Sequence, residues 1–131
     1  MHFINPSDWK RPSGYANGVI AEGRLFFVAG QIGWDKQQKL VSADFGEQAA
    51  QALRNIAAVL EAGGAKPEHV TRMTWYLTDK QAYNAAAKAV GAAYREVFGT
   101  HYPAMTLVEV ADLLEDGAQV EIEATAVVPF D

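Results

Sequence analysis

The stretch from Asp44 to Leu77, DFGEQAAQALRNIAAVLEAGGAKPEHVTRMTWYL, decides the fold. In its first half, apolar residues recur every three or four positions and polar residues fill the opposite side, which predicts an amphipathic helix. Asp44 is the expected N-cap of this helix, and Gly63-Gly64 is its expected end. In the second half the period changes to two, so the sequence predicts a strand over Val70–Leu77.

Two further strands are predicted before this stretch. Val19–Ala21 and Arg24–Val28 are apolar runs that flank Glu22-Gly23, and a two-residue break containing glycine predicts a hairpin. The segment from Ala29 to Asp35 contains two glycines, so the backbone is expected to leave regular strand pairing there.

A second helix and two strands are predicted after it. Thr78 or Asp79 is the expected cap of a helix that ends at Phe98, and the last strands are predicted over 105–110 and 118–128. The order β-β-α-β-α-β-β predicts an α+β fold with both helices on one face of a single mixed sheet. No segment has the composition of a linker, so residues 1–131 are expected to form one domain.

Composition excludes several classes of function. The 131 residues include no cysteine, which excludes disulfides and thiolate metal sites and favours a cytoplasmic location. The three histidines have no spacing typical of metal ligands, and no apolar run is long enough to cross a membrane. The net charge of −5 comes with scattered basic residues, whereas nucleic-acid binding requires clustered ones. We therefore expect no metal, no cofactor, no nucleic-acid partner and no membrane contact.

The sheet face that the helices leave open is predicted to be a subunit interface. Large apolar and charged residues are both expected on this face: Arg72, Tyr76, Met105, Leu107, Glu121 and Glu123. A solvated face would be more uniformly polar, and a core face would not tolerate unpaired carboxylates. Association of subunits explains this mixture.

Two of these residues could carry acid–base chemistry. Glu121 and Glu123 are two positions apart on one strand, which places them about 6.5–7 Å apart on the same face. If one were desolvated, its pKa would rise and it could orient water or donate a proton. The alternative is that both glutamates pair with Arg72 or face water, and periodicity favours this alternative.

Several motifs, in order along the chain, resemble the Rid family, the YjgF-like reactive-intermediate deaminases. The motifs are Gly14–Gly18, Leu25–Ile32, Gln51–Ile56, Tyr76–Asp79, Pro103–Ala111 and Val120–Ala124. The resemblance implies a homotrimer with a chorismate-mutase-like fold and a small-molecule site in each cleft between subunits. It also implies hydrolysis of reactive imines and enamines without a cofactor, by a water that a glutamate positions.

The same resemblance implies the site residues. Tyr15 and Glu121 match the family's catalytic tyrosine and glutamate, and Gly30 and Gln31 match a segment that approaches the ligand through its backbone. Two residues, Met105 and Leu107, are expected to shape the cleft, and Trp34 is a further candidate whose alternative role is packing.

The chain departs from the family pattern at the residue that binds carboxylate. Met105 stands where the family has an arginine, so the resemblance implies a branch that lacks this anchor. Three other polar residues are also replaced, by Ala29, Leu107 and Gly91. The implied substrate is therefore an imine- or enamine-like metabolite other than the usual small α-imino acids. A non-catalytic ligand-binding protein is the alternative, and ribonuclease or translation inhibition is a remote one.

Overall fold

The computed structural model describes residues 1–131. Six strands, three helices and a short 3-10 turn follow one another along the chain. The elements are β1 (His2–Ile4), β2 (Gly18–Ile20), β3 (Arg24–Gln31), α1 (Phe45–Ala62), the 3-10 turn (Pro67–His69), β4 (Val70–Leu77), α2 (Lys80–Ala85), α3 (Ala87–Phe98), β5 (Ala104–Glu109) and β6 (Val120–Val128).

The main sheet has four strands in the order β3-β6-β4-β5. β6 pairs antiparallel with β3 and β4, and β4 pairs parallel with β5, so the sheet is mixed. The apolar faces of the helices pack against one side of this sheet. The predicted α+β class, with helices on one face of a mixed sheet, is therefore confirmed. No helix combines the length and the apolar character that a membrane crossing needs.

The first predicted hairpin is wrong. β2 pairs with β1 rather than with β3, so the two form a separate small sheet in the register His2↔Ile20. The side chain of Asn5 accepts hydrogen bonds from the backbone N and the Nδ2 of Asn17, at 2.9 and 3.0 Å, and so joins the ends of both strands. The polar lead-in showed no strand period, so the pairing partner of β2 was not visible in the sequence.

The second predicted helix is interrupted. Asp79 caps α2 by accepting a hydrogen bond from the backbone N of Gln81 at 2.9 Å, as expected. At Ala86 the backbone turns (φ −97°, ψ 5°), and α3 starts at the next residue. The local sequence is rich in alanine and contains no proline or glycine, so no residue type marked this break.

The core lies between α1 and the sheet. The α1 helix packs against β6, β3 and α3, and its fully buried residues include Ala49, Ala52, Leu53, Ile56 and Leu60. Gln48 is also fully buried, and its amide is satisfied. Its Nε2 donates to the carbonyls of Ser42 and Gly117, and its Oε1 accepts from the backbone N of Gln119 at 2.8 Å. These bonds connect α1 to the start of β6.

The face of the sheet opposite the helices is open. On β3, Leu25 and Phe27 are 65% and 71% exposed, which is unusual for large apolar side chains on a sheet. Arg72, Tyr76, Glu121 and Glu123 lie on the same face, as the strand registers require.

The prediction that Met105 and Leu107 lie on this open face is wrong. The parallel register places Met105 beside Met73 and Leu107 beside Trp75, and both of these residues belong to the core face. Met105 and Leu107 therefore face the helices. The alternation of residues along β5 did not show which face Met105 and Leu107 occupy, because apolar residues occur at both odd and even positions of this strand.

Candidate functional site

A cavity of about 440 Å³ lies on the helix side of the sheet, between α3 and the edge strand β5. It brings together three of the predicted site residues: Tyr15, Met105 and Leu107. Tyr15 reaches the cavity because the next residue, Ala16, pairs with Ala104 and donates its backbone N–H to the Pro103 carbonyl at 3.0 Å. These backbone contacts hold the lead-in segment against the beginning of β5.

Aromatic rings form much of the cavity wall. Tyr94 stacks on Tyr102 with ring centroids 5.3 Å apart, and Trp75 meets Tyr83 edge to face at 6.2 Å. Tyr94 also donates its hydroxyl proton to the carbonyl of His101, which fixes the ring. Burial raises the pKa of Tyr94, so its hydroxyl stays neutral. The aromatic part of the wall is therefore uncharged.

One charged side chain lines this cavity. Trp75, which also lines it, is 3% exposed, and its Nε1 is covered by the protein and has no hydrogen-bond partner. Arg95, on α3, is the only lysine or arginine among the lining residues, and no aspartate or glutamate is among them. The cavity thus combines a largely apolar wall with one cation.

The predicted residues Gly30 and Glu121 form a second group, on the open face. The pairing of β3 with β6 is irregular between Val28 and Gln31, which confirms the expected departure from regular strand pairing. At this irregularity Gly30 lies so close to Glu121 that a Cβ on it would collide with the carboxylate. Glycine leaves room for the carboxylate at this close approach, so the backbone of β3 limits where the Glu121 carboxylate can lie.

Glu123 is hydrogen-bonded by a neighbour on the next strand. The hydroxyl of Tyr76 donates to its Oε1 at 2.7 Å. This hydrogen bond, followed by burial and by the charges of Glu123 and Glu121, raises the pKa of Tyr76. The two glutamates therefore have different surroundings. Glu123 accepts a hydrogen bond from the neutral hydroxyl of Tyr76, whereas the Glu121 carboxylate lies against Gly30.

The remaining predicted residues lie near the second group or away from both. Gln31 follows Gly30, and its Nε2 donates to the carbonyl of Ala29 at 3.1 Å. Trp34 is bridged to Leu40, and its carbonyl accepts from the Nδ2 of Asn55 on α1 at 2.9 Å. Trp34 does not line the cavity, so its role in a site stays a prediction.

The predicted site residues therefore form two separate groups within one chain. We call the cavity with Tyr15, Met105 and Leu107 the aromatic half, and the pair Gly30 and Glu121 the acidic half. They lie on opposite faces of the sheet, with β4 between β6 and β5. Sequence reasoning missed the aromatic wall and Arg95. The spacing of Gly91 and Arg95, one helical turn apart, was the one available signal.

Comparisons with known proteins agree on one family. The family model described as Endoribonuclease L-PSP matches residues 9–128. A RutC family protein of Pyrococcus horikoshii is 40% identical over 117 residues, which cover 88% of this chain and 89% of that protein. The human 2-iminobutanoate/2-iminopropanoate deaminase is 34% identical over 114 residues, 86% of this chain and 79% of its own.

Solved structures give the same answer for the fold. The Rid family protein YyfB of Yersinia pestis superposes with a TM-score of 0.85 at 31% identity, over 97% of this chain and 98% of its own. The YjgF gene product of E. coli has a TM-score of 0.68 at 35% identity, over 86% and 87% of the two chains. Both agree with the chorismate-mutase-like arrangement of helices on a mixed sheet. In sequence and in fold alike, this chain belongs to the Rid family, whose model carries the description Endoribonuclease L-PSP.

Proposed function

We propose that this protein is a homotrimer that hydrolyses a reactive imine or enamine in each cleft between neighbouring subunits, without a cofactor. The substrate is a small metabolite other than the usual small α-imino acids. Relatives at 34–35% identity carry the name 2-iminobutanoate/2-iminopropanoate deaminase, which supports the reaction class.

The observation that carries this proposal is the separation of the two halves. Tyr15 and Met105 line a cavity on the helix side, whereas Gly30 and Glu121 lie on the open side. Because β4 lies between them, the cavity of one chain and the carboxylate of the same chain do not face each other. A second copy, packed so that its acidic half meets the first chain's aromatic half, would complete the site.

The open face supports the association. Leu25 and Phe27 are mostly exposed in the single chain, and burying one such side chain contributes about 1.5–3 kcal/mol. A closed ring of three copies would cover this surface in every subunit. The mixed polarity of the face, with Arg72 beside the glutamates, suits an interface better than a core.

The proposed chemistry uses few groups. Glu121 takes a proton from a water as the water adds to the imine carbon, and it returns that proton to the nitrogen, which gives a neutral carbinolamine. Glu121 then moves the hydroxyl proton of the carbinolamine to the nitrogen as the carbon–nitrogen bond breaks, so the carbonyl forms and neutral ammonia leaves. Tyr15 orients the substrate from the aromatic half, and Gly30 holds the carboxylate in place.

Met105 sets the proposed specificity. A thioether cannot make the paired, charge-assisted hydrogen bonds that an arginine makes to a carboxylate. We therefore place the protein in a branch of the family that lacks this anchor. RNA is not the proposed substrate, because the net charge is −5 and the basic residues are scattered.

Mixing two inactive chains tests the shared site. Glu121→Gln removes the acidic half, and Tyr15→Ala damages the aromatic half. In trimers assembled at random from equal amounts of both, about one quarter of the sites combine two intact halves, so about one quarter of the wild-type rate should return. Ammonia release is measured from imines that an amino-acid oxidase generates from alanine, leucine and phenylalanine.

The controls separate the alternatives. Each variant alone, and a mixture of separately assembled trimers, should stay inactive. If the mixed trimers recover no activity although both variants fold and associate, the site does not lie between subunits. If the wild-type protein releases no ammonia from any imine but binds ligands, the non-catalytic alternative replaces the proposed reaction.

A further inference from the structure

We infer that Arg95 is the anion-binding group of the aromatic half, and that the ligand is a carboxylate with an aromatic or extended apolar body. This inference rests on the proposed function, because it names the substrate class for the same cavity. It assigns the charged contact to a helix residue, at a position different from the strand residue Met105.

The first observation is the position of the guanidinium. Arg95 follows Gly91 by one turn of α3, so both residues lie on the same side of the helix. A Cβ built on Gly91 would lie 3.3 Å from the Nη1 of Arg95 and would contact nothing else within 4 Å. Because Gly91 has no side chain, the guanidinium of Arg95 can lie over this position of the helix, beside the cavity.

The second observation is the charge of the lining. Arg95 is the only lysine or arginine that lines the cavity, and no carboxylate of the same chain lines it. A guanidinium presents several donors in a planar fork, which matches the two oxygens of a carboxylate. In the proposed trimer the Glu121 carboxylate of the neighbouring copy is assigned to the attacking water, so the anion that Arg95 would bind is supplied by the ligand.

The third observation concerns size and polarity. The cavity volume of about 440 Å³ lies within the range of about 300–1,000 Å³ that is typical of sites for drug-sized ligands. An imine derived from alanine would fill little of it. The stacked rings of Tyr94 and Tyr102 offer an apolar surface for a larger body.

Arg72 is the rival anchor. It borders a smaller depression, of about 190 Å³, together with Tyr15 and Met105. However, its strand register places it on the open face with Thr74 and Tyr76, whereas Met105 faces the helices. The two arginines therefore make different predictions for the same ligand.

Binding of a matched pair of probes tests the inference. Indole-3-acetate carries a carboxylate, and indole-3-acetamide has nearly the same shape without the charge. Their dissociation constants are measured by ligand-observed NMR titration of the assembled protein. We expect the wild type to bind the acid at least about tenfold more tightly than the amide, because a charge-assisted hydrogen bond contributes about 1.5–3 kcal/mol and 1.4 kcal/mol is a factor of ten.

Variants assign the preference to a residue. Arg95→Gln should remove the preference for the acid and leave the affinity for the amide within about twofold, since the apolar wall is unchanged. Arg95→Lys, which keeps the charge, should retain part of the preference. Arg54→Gln is the matched control. Arg54 is an exposed arginine on α1 whose Nη2 donates to Gln51 at 3.2 Å, away from the cavity.

Three results would overturn the inference: an unchanged preference in Arg95→Gln, loss of the preference in Arg72→Gln but not in Arg95→Gln, or no binding of either probe to the wild type. These outcomes are independent of catalysis, because the probes contain no imine. If Glu121→Gln leaves ammonia release unchanged, the proposed reaction fails while Arg95 can still be the anion-binding group.

Discussion

Replacing Gly30 with alanine tests whether the backbone of β3 positions the Glu121 carboxylate. The added Cβ would overlap the Oε2 of Glu121 and would lie 2.8 Å from its Cδ. The obstacle is the end of a flexible side chain, so Glu121 would rotate away while the strand keeps its place. The carboxylate would then leave the position from which it is proposed to orient water.

The expected effects on stability and on activity differ in size. Forcing a side chain about 30° from its rotamer costs about 0.5–1.5 kcal/mol, which corresponds to a few degrees in the melting temperature. By contrast, a displacement of about 1 Å in a catalytic group can cost about 100-fold in rate. Gly30→Ala should therefore fold and assemble like the wild type and lose about 100-fold in kcat.

The assay compares three quantities in the same preparation. Ammonia release from oxidase-generated imines, with semicarbazide as the competing trap, gives the rate; thermal unfolding gives the stability; and light scattering gives the assembly. Gly18→Ala is the matched control, because a Cβ on this strand glycine meets Ile4 at an ordinary 3.5 Å. A Gly30→Ala protein that retains its rate to within about threefold would refute the positioning role.

Three further predictions follow from other parts of the molecule. Phe27→Asp should convert the proposed trimer into monomers, seen by light scattering, because it replaces a mostly exposed aromatic ring of the open face with a charge that is costly to bury. Met105→Arg should raise the rate on 2-iminopropanoate by about 10–100-fold, measured with the same semicarbazide trap, by supplying a charged hold on its carboxylate; an unchanged rate would mean that Met105 is not the missing anchor. The free energy of unfolding should fall as the pH rises above about 10, because burial raises the pKa of Tyr94 and the unfolded chain releases this proton first. Urea titrations between about pH 8 and pH 11 should show a smaller fall in Tyr94→Phe.

The parts of the fold that follow from periodicity could be predicted from the sequence. The N-cap at Asp44 and the strand over Val70–Leu77 occur where the period of apolar residues indicated them. The irregular pairing near Gly30 was also expected, because glycine inside a strand marks such places. These features depend on residues close in sequence, which is why a single chain was enough to find them.

The face of β5 depended on pairing between distant segments. Residues 104–109 read Ala-Met-Thr-Leu-Val-Glu, and both of its alternating sets contain apolar side chains. Only the parallel register with β4, which pairs Met105 with Met73, decides that Met105 and Leu107 face the helices. A shift of one residue would reverse both assignments, and no local pattern excludes that shift.

The aromatic half illustrates why a site can be partly visible in a sequence. Tyr15 and Met105 could be found by resemblance, because they belong to motifs of the family. The resemblance indicates Gly91 only as the loss of a polar residue and does not indicate Arg95 at all, because their significance depends on the guanidinium occupying the space that the glycine leaves. If this pair binds the ligand's anion, the arginine of the site lies on the helix and a methionine lies at the strand position. The ligand's carboxylate is then bound by the α3 side of the cavity. The distance between this carboxylate and the imine carbon can therefore be longer than in a small α-imino acid. Under this reading, Met105→Arg and Arg95→Gln together should shift preference toward small imino acids more than either change does alone.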